Sequence, residues 1–202
     1  ENGVNTKKFK PLIIKNEHRK DLYVIGSAAR FAPQKNLNLL FIATSKLLKK
    51  GFNIKLYLCG EGMNQSNYLL YSQLEKLGIH RNTELLGIVE EMQNFYNSLD
   101  LFVSTSKSGE GFSNVIIEAL SCGVRCISSD IGSARDLLKE VGWLVPLKED
   151  DMMIENFTNY IKESFFELAY ERQDKESKGR ELIKNHYSEK IMLQKYNQIY
   201  IV

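Results

Sequence analysis

The stretch with the most chemistry is Ser108-Gly109-Glu110-Gly111-Phe112-Ser113-Asn114-Val115-Ile116-Ile117-Glu118-Ala119. Gly109 and Gly111 permit a tight loop that another group can approach closely. Ser113 or Asn114 suits the N-cap of the helix that follows. The first N–H groups of a helix lack intrahelical partners and the dipole is positive there, so this end can hold an anion such as a diphosphate. Glu110 and Glu118 flank that place, eight positions apart. A carboxylate repels a phosphate. It is useful beside one where it accepts hydrogen bonds from ligand hydroxyls, each worth roughly 1.5–3 kcal/mol to a charged acceptor. Taken singly, Glu118 can equally complement the helix dipole, and Glu110 can be a solvated loop acid.

Two cations stand in another turn, Gly26-Ser27-Ala28-Ala29-Arg30-Phe31-Ala32-Pro33-Gln34-Lys35. A dinucleotide site would have G-x-G-x-x-G here, and only Gly26 is present; no G-x-x-x-x-G-K-[ST] phosphate loop occurs anywhere. Arg30 and Lys35 are therefore either solvated charges or a clamp on a phosphate-bearing ligand, Arg as a fork and Lys as a point charge. His18, His80 and His186 are scattered without metal-ligand spacing, so no zinc or other metal is expected. Cys59, Cys122 and Cys126 are odd in number with no C-x-x-C pair, and read as buried free thiols of a reducing compartment.

The elements that would position these residues alternate. Short apolar runs at 22–25, 54–59, 84–87, 101–103, 125–128 and 142–145 read as strands, and helical spacing fills 37–48, 65–77, 90–98 and 114–122. Such alternation implies parallel strands with right-handed crossovers, hence an α/β doubly wound, Rossmann-like sheet. Residues 150–201 read as two or three further helices, with a solvated charge run from Glu171 to Glu181, and residues 1–20 as a polar, Lys-rich lead-in. In such a sheet ligands sit outside the carboxyl ends of the strands, where the turns above lie.

The chain has 202 residues, 43% hydrophobic and 26% charged, with 27 Lys+Arg against 25 Asp+Glu. That is enough apolar content for a packed core and excludes a disulfide-stapled miniprotein or a disordered tail. The near-neutral balance argues against a nucleic-acid partner. No apolar run approaches the length of a membrane span and no signal-peptide pattern opens the chain. The expected location is cytoplasmic, with peripheral association at the inner face of the membrane left open.

The sequence resembles the retaining, GT-B-fold glycosyltransferases of the large glycogen-synthase-like and lipopolysaccharide-type group. Glu110 and Glu118 match the E-x7-E motif of that group. Ala29-Arg30-Phe31 through Lys35-Asn36 resembles its G-R-[LF]-x-x-x-K-[GN] turn, with Ala29 in place of the common glycine. Leu58-Cys59-Gly60-Glu61-Gly62, Leu85-Leu86-Gly87 and Glu118-Ala119-Leu120-Ser121-Cys122-Gly123 are similar to further segments in the same order. Asn2 to Pro11 resembles the link between the two domains of such enzymes, and Tyr187-Ser188 to Tyr200 the closing helix. Arg125-Cys126 departs from a common Pro-Val and reads as a packing variation.

The resemblance implies roles. Arg30 and Lys35 would neutralise the donor diphosphate and stabilise the departing nucleoside diphosphate, with Glu110 holding hydroxyls of the transferred sugar as the third catalytic position. Gly26, Gly111, Phe112, Ser113, Asn114 and Val115 would meet sugar or phosphate, Leu86, Gly87 and Ile88 would border the base, and Glu118 would accept from the ribose. No cofactor and no metal is required in principle, because preorganised cations and dipoles stabilise the leaving phosphate. Residues 1–20 would be an interdomain lead-in, 21–187 the nucleotide-sugar donor domain, and 188–202 a helix packing toward an absent N-terminal domain. Since Glu1 opens the chain, the expectation is half of a two-domain enzyme (EC 2.4.-.-), inactive alone, whose glycan or lipid-linked acceptor binds the other half in cell-surface polysaccharide or lipopolysaccharide synthesis. A sugar-nucleotide epimerase of the same architecture and a non-catalytic sugar- or nucleotide-binding domain stay open as alternatives.

Overall fold

The structure, a computed structural model, describes residues 2–12 and 22–200, and the side chains among them up to residue 198. His18, residues 13–20 of the lead-in and the last two residues of the expected closing helix lie outside the described residues.

Six parallel strands form one sheet: β1 (Tyr23–Ala28), β2 (Ile54–Cys59), β3 (Thr83–Gly87), β4 (Leu101–Ser104), β5 (Arg125–Ser129) and β6 (Trp143–Val145). Their order is β3-β2-β1-β4-β5-β6, so the chain winds outward one way from β1 and then the other way from β4. The helices are α1 (Asn38–Lys49), α2 (Tyr68–Lys76), α3 (Met92–Asn97), α4 (Asn114–Ser121), α5 (Ala134–Leu138), α6 (Asp150–Phe166), α7 (Ala169–His186) and α8 (Glu189–Tyr200). The doubly wound α/β class expected from the sequence is the observed one. The sequence reading had no counterpart for α5, a five-residue turn too short to display a period.

The central strands are apolar along their length because helices cover both faces. Alternate residues feed two cores. Ile25, Leu56, Leu58, Val103 and Ile127 pack with Leu39, Phe41, Met153 and Phe157 of α1 and α6. Val24, Phe102 and Cys126 pack with Tyr96, Ile117, Leu137 and Ile183 on the other side.

Three sequence expectations need correction here. Gly26 lies inside β1, and is not part of the turn; a Cβ on it would stand 2.3 Å from Leu99 Cδ1, so it is glycine for packing. Arg125 is no simple packing variation. Its side chain is 1% exposed and donates to the carbonyl of Ser164 at 2.9 Å, to Tyr23 Oη and the carbonyl of Asp100 at 3.1 Å each, and to the Glu167 carboxylate. The charge run of α7 is only partly solvated. Arg172 pairs with Asp100 at 3.1 Å, Lys175 with buried Glu167, and Arg180 reaches the carbonyls of Phe9 and Ser121.

The lead-in is anchored to the domain. Val4 bridges to Ser188, its N–H donating to Tyr187 O at 2.8 Å and its carbonyl accepting from Glu189 N at 3.0 Å. Farther along, the Ser121 hydroxyl donates to Phe9 O at 2.6 Å, and Asn97 accepts from Leu12 N at 2.7 Å while donating to Lys10 O at 3.0 Å.

Candidate functional site

The winding direction reverses between β1 and β4, which are neighbours in the sheet but not in the chain. At such a switch point the loops leaving the two strands diverge and open a crevice. A pocket of about 180 Å³ occupies it, lined from one side by Ser27, Ala28, Ala29 and Lys35 and from the other by Thr105, Ser106, Glu110 and Phe112–Val115.

Each side is held by the other. After β1 the chain enters a 3-10 turn, Pro33–Lys35, with proline suited to its first position. Thr105 Oγ1 donates to Lys35 O at 2.7 Å, and Lys107 N donates to Gln34 O at 2.9 Å. These bonds fix the backbone from which Lys35 projects. Its ammonium pairs with the carboxylate of Glu110, and Ser106 Oγ donates to the same Glu110 oxygen at 2.8 Å. Both side chains of the pair are largely shielded, 20% and 15% exposed, where a charge-assisted bond is stronger than in water.

The loop bearing Glu110 rests on a second loop. A Cβ on Gly132 would lie 2.4 Å from Glu110 O and 2.6 Å from Gly111 O, and Gly132 has φ +56°. Ser133 N donates to Gly111 O at 3.0 Å, and Ser113 N donates to Ser133 Oγ at 3.0 Å. Ser113 occupies the N-cap position of α4, yet its own hydroxyl makes no cap bond. The expected capping side chain is thus absent, and the Ser113 N–H is already engaged. The helix start that faces the pocket is made of Asn114 and Val115. Asn114 Oδ1 also accepts from Asn2 of the lead-in at 2.9 Å.

Glu118 follows Asn114 and Val115 by four and three positions, on the same side of α4. It is half-buried, and Tyr96 Oη donates to its Oε2 at 2.8 Å. Burial raises its pKa above the ordinary carboxylate value, while the Tyr96 hydrogen bond and the Lys8 charge pull it back. Tyr96 itself is fully buried, its phenol pushed well up by burial and then by the Glu118 charge.

The remaining sequence candidates spread more widely. Arg30 is exposed beyond β1 and makes no hydrogen bond or ion pair among the described residues. Leu86, Gly87 and Ile88 stand at the end of β3, the sheet edge, with Ile88 78% exposed. Gly87 accepts from Gly60 N and donates to Met63 O, both at 2.7 Å, which ties that edge to the loop after β2. Gly111 is exposed with open space where a Cβ would be. Gly26 is shut off behind Leu99, away from the pocket.

Sequence reasoning missed Thr105, Ser106, Ser133 and Tyr96 as individuals. The hydroxyl run directly after β4 was a usable signal, because hydroxyls at a strand's carboxyl end commonly tie loops together. Tyr96 gave none, since an aromatic in a short helix reads as core. A larger cleft, about 780 Å³, lies at the α6–α7 elbow, but Glu163, Glu171 and Asp174 line it, which is the wrong charge for an anion. Among the described residues no group of three or more His, Cys, Asp or Glu side chains is arranged to hold a metal ion. No helix among them is long and apolar enough to cross a membrane.

Residues 9–180 match the family described as Glycosyl transferases group 1. The chain is 26% identical over 211 aligned residues to a capsular polysaccharide biosynthesis glycosyltransferase, CapM, of Staphylococcus aureus, covering 98% of this chain and 52% of that protein. It is 28% identical over 159 residues to an N-acetylgalactosaminyltransferase of Campylobacter jejuni acting on a diphospho-undecaprenol-linked sugar, covering 77% and 42%. The chain thus spans about half the length of the curated relatives it matches. In fold it is similar to a glycosyltransferase of Rickettsia africae, with TM-score 0.87, 22% identity and coverage of 99% and 55%. It is also similar to Anabaena HepE, solved with UDP and glucose, with TM-score 0.84, 19% identity and coverage of 100% and 56%.

Proposed function

We propose, for a chain that belongs to the glycosyl transferases group 1 family, that it is the donor-binding half of an enzyme moving a sugar from a nucleoside diphosphate sugar to an acceptor with retention of configuration. The observation that carries this reading is the Lys35–Glu110 pair at the β1/β4 crevice, beside the start of α4. A cation and a carboxylate held side by side suit a ligand that is itself an anion joined to a polyol. The diphosphate would meet Lys35, Arg30 and the α4 N–H groups, and the sugar hydroxyls would meet Glu110.

The chemistry asked of these residues is electrostatic. As the glycosidic bond to the diphosphate lengthens, negative charge grows on the leaving phosphate, and preorganised cations stabilise it with little reorganisation. Glu118 would hold the ribose, and the exposed Leu86–Ile88 edge would border the base. No residue here is asked to bind a cofactor, and these cations would take the place a metal has in other phosphate sites.

Relatives named for capsule and O-antigen synthesis favour a cell-surface polysaccharide product. HepE, solved with UDP and glucose, makes UDP the first nucleotide to try. The acceptor, a glycan or a lipid-linked sugar, would bind the other half of the enzyme, so the chain alone is expected to bind donor without transferring it. Work on membrane-linked acceptors would place the enzyme in the cytoplasm, peripheral to the inner face. Among the described residues neither His80 nor His186 lines the pocket, which disfavours an epimerase with a histidine acid or base from them.

Calorimetric titration of the chain with UDP, GDP, ADP and their glucose conjugates tests the donor site. Saturable binding by one series is expected, and no binding by any of them to the folded chain would overturn it.

A further inference from the structure

Glu118 is not free to choose its orientation. Oε2 receives the Tyr96 hydroxyl at 2.8 Å, and Oε1 has no partner among the described residues. Tyr96 in turn is clamped by rings on several sides: Phe95 at 5.4 Å, Phe102 at 5.6 Å and Phe9 of the lead-in at 6.2 Å, all edge-on. The backbone that carries it is gripped as well, since Asn97 bonds both Leu12 N and Lys10 O. Rings packed in this way fix the place of the phenol oxygen beside the Glu118 carboxylate.

We propose that Tyr96 is a positioning residue for donor recognition, holding Oε2 of Glu118 so that Oε1 is reserved for a ribose hydroxyl. This rests on the reading of Glu118 as the ribose acceptor. The physical gain is preorganisation: a half-buried glutamate otherwise loses rotamer freedom when the ligand arrives, and here the loss is taken at folding. The second gain is charge. Burial favours the neutral acid, which donates where an acceptor is wanted, and the phenol offsets that by bonding the ionised form. The other groups facing Glu118 are Lys8 from the lead-in, Cys59 from β2 and Cys122 directly after α4. Both thiols are pushed up to about 12 by burial and stay neutral across the working range, so Tyr96 and Lys8 set the charge on Glu118.

The test is a ratio that packing damage does not move. The affinity of the full 202-residue chain for UDP, or for whichever of GDP and ADP it binds, is divided by its affinity for the 2′-deoxy counterpart. Phosphate ionisation cancels in that ratio. The wild type should prefer the ribonucleotide; equal affinities would overturn the ribose role of Glu118 itself. In Tyr96→Phe the preference should fall about tenfold with the deoxynucleotide affinity unchanged, the size expected for a hydrogen bond to a charged group. The preference is lost as pH falls through the raised pKa of Glu118, and in Tyr96→Phe that midpoint should move to higher pH. An undiminished preference with an unmoved midpoint would overturn the proposal while leaving the ribose role standing. Phe95→Leu loosens the same packing without touching the bond, and should keep the full preference; an equal loss there also overturns it. Should Tyr96→Phe fail to fold, 3-fluorotyrosine at position 96 supplies a more acidic donor. It should lower the midpoint, and no change would count against the proposal.

Discussion

Lys35 and Glu110 lie 75 positions apart in the chain and meet as a shielded ion pair across the one place where the sheet reverses its winding. The meeting depends on a hydroxyl pair following β4: Thr105 anchors the backbone of Lys35, and Ser106 bonds the carboxylate of Glu110. The positions of the two are therefore set by a common support.

Removing the cation should be felt in binding more than in folding. Lys35→Ala is expected to weaken nucleoside diphosphate affinity about ten- to hundredfold, the loss of a charge-assisted contact of roughly 1.5–3 kcal/mol. Titration calorimetry measures it, and wild-type affinity in the variant would remove Lys35 from the phosphate site.

Two glycines should separate stability from binding. Gly26→Ala drives a methyl into Leu99 inside the sheet and should destabilise by about 1–3 kcal/mol, while the folded protein keeps its nucleotide affinity. Gly132→Ala presses on the carbonyls of Glu110 and Gly111 from a left-handed φ, and should displace the Glu110 loop. Its nucleotide sugar affinity should fall even where the denaturation midpoint stays near wild type. Urea unfolding and calorimetry on both variants check the contrast.

The buried guanidinium predicts a large stability effect far from the pocket. In Glu167→Gln, Arg125 keeps its charge but loses its ionic partner at 1% exposure. Breaking a buried pair from one side costs about 3–5 kcal/mol, and equilibrium denaturation should show most of that. Arg125→Met together with Glu167→Leu should recover part of it, because an apolar pair carries no stranded charge.

The thiols should be silent in the folded protein. Cys59, Cys122 and Cys126 are all buried, and burial raises each thiol, Cys59 and Cys122 to about 12. At pH 8 the nucleophilic thiolate is then scarce in the native state and ordinary in the unfolded one. Reaction with Ellman's reagent should require unfolding, with three equivalents released in denaturant.

The sheet was legible because each strand is a short apolar run closed by a turn residue, and α1 and α4 because their apolar periods are clear. The loops gave up less. Glu110, Lys35 and Glu118 stand out as candidates by type and spacing, but Thr105 and Ser133 act through hydroxyls whose partners are distant in sequence. Gly26 misled, since glycine at a strand's end suggests a turn while here it yields to Leu99. Arg125, read as a packing variation, carries a buried polar network that the sequence does not display, because only the fold brings Glu167, Tyr23 and Ser164 around it.

The bridge between Val4 and Ser188 has a mechanical consequence. Two segments far apart in sequence, around Val4 and at the start of α8, are stitched there by paired backbone bonds. A tension applied between these two segments would load that stitch before the sheet. Tyr187 beside the stitch also packs at a tilt against Phe112 of the pocket loop, at 5.7 Å between rings, so a strain on the stitch would reach the pocket through one ring contact.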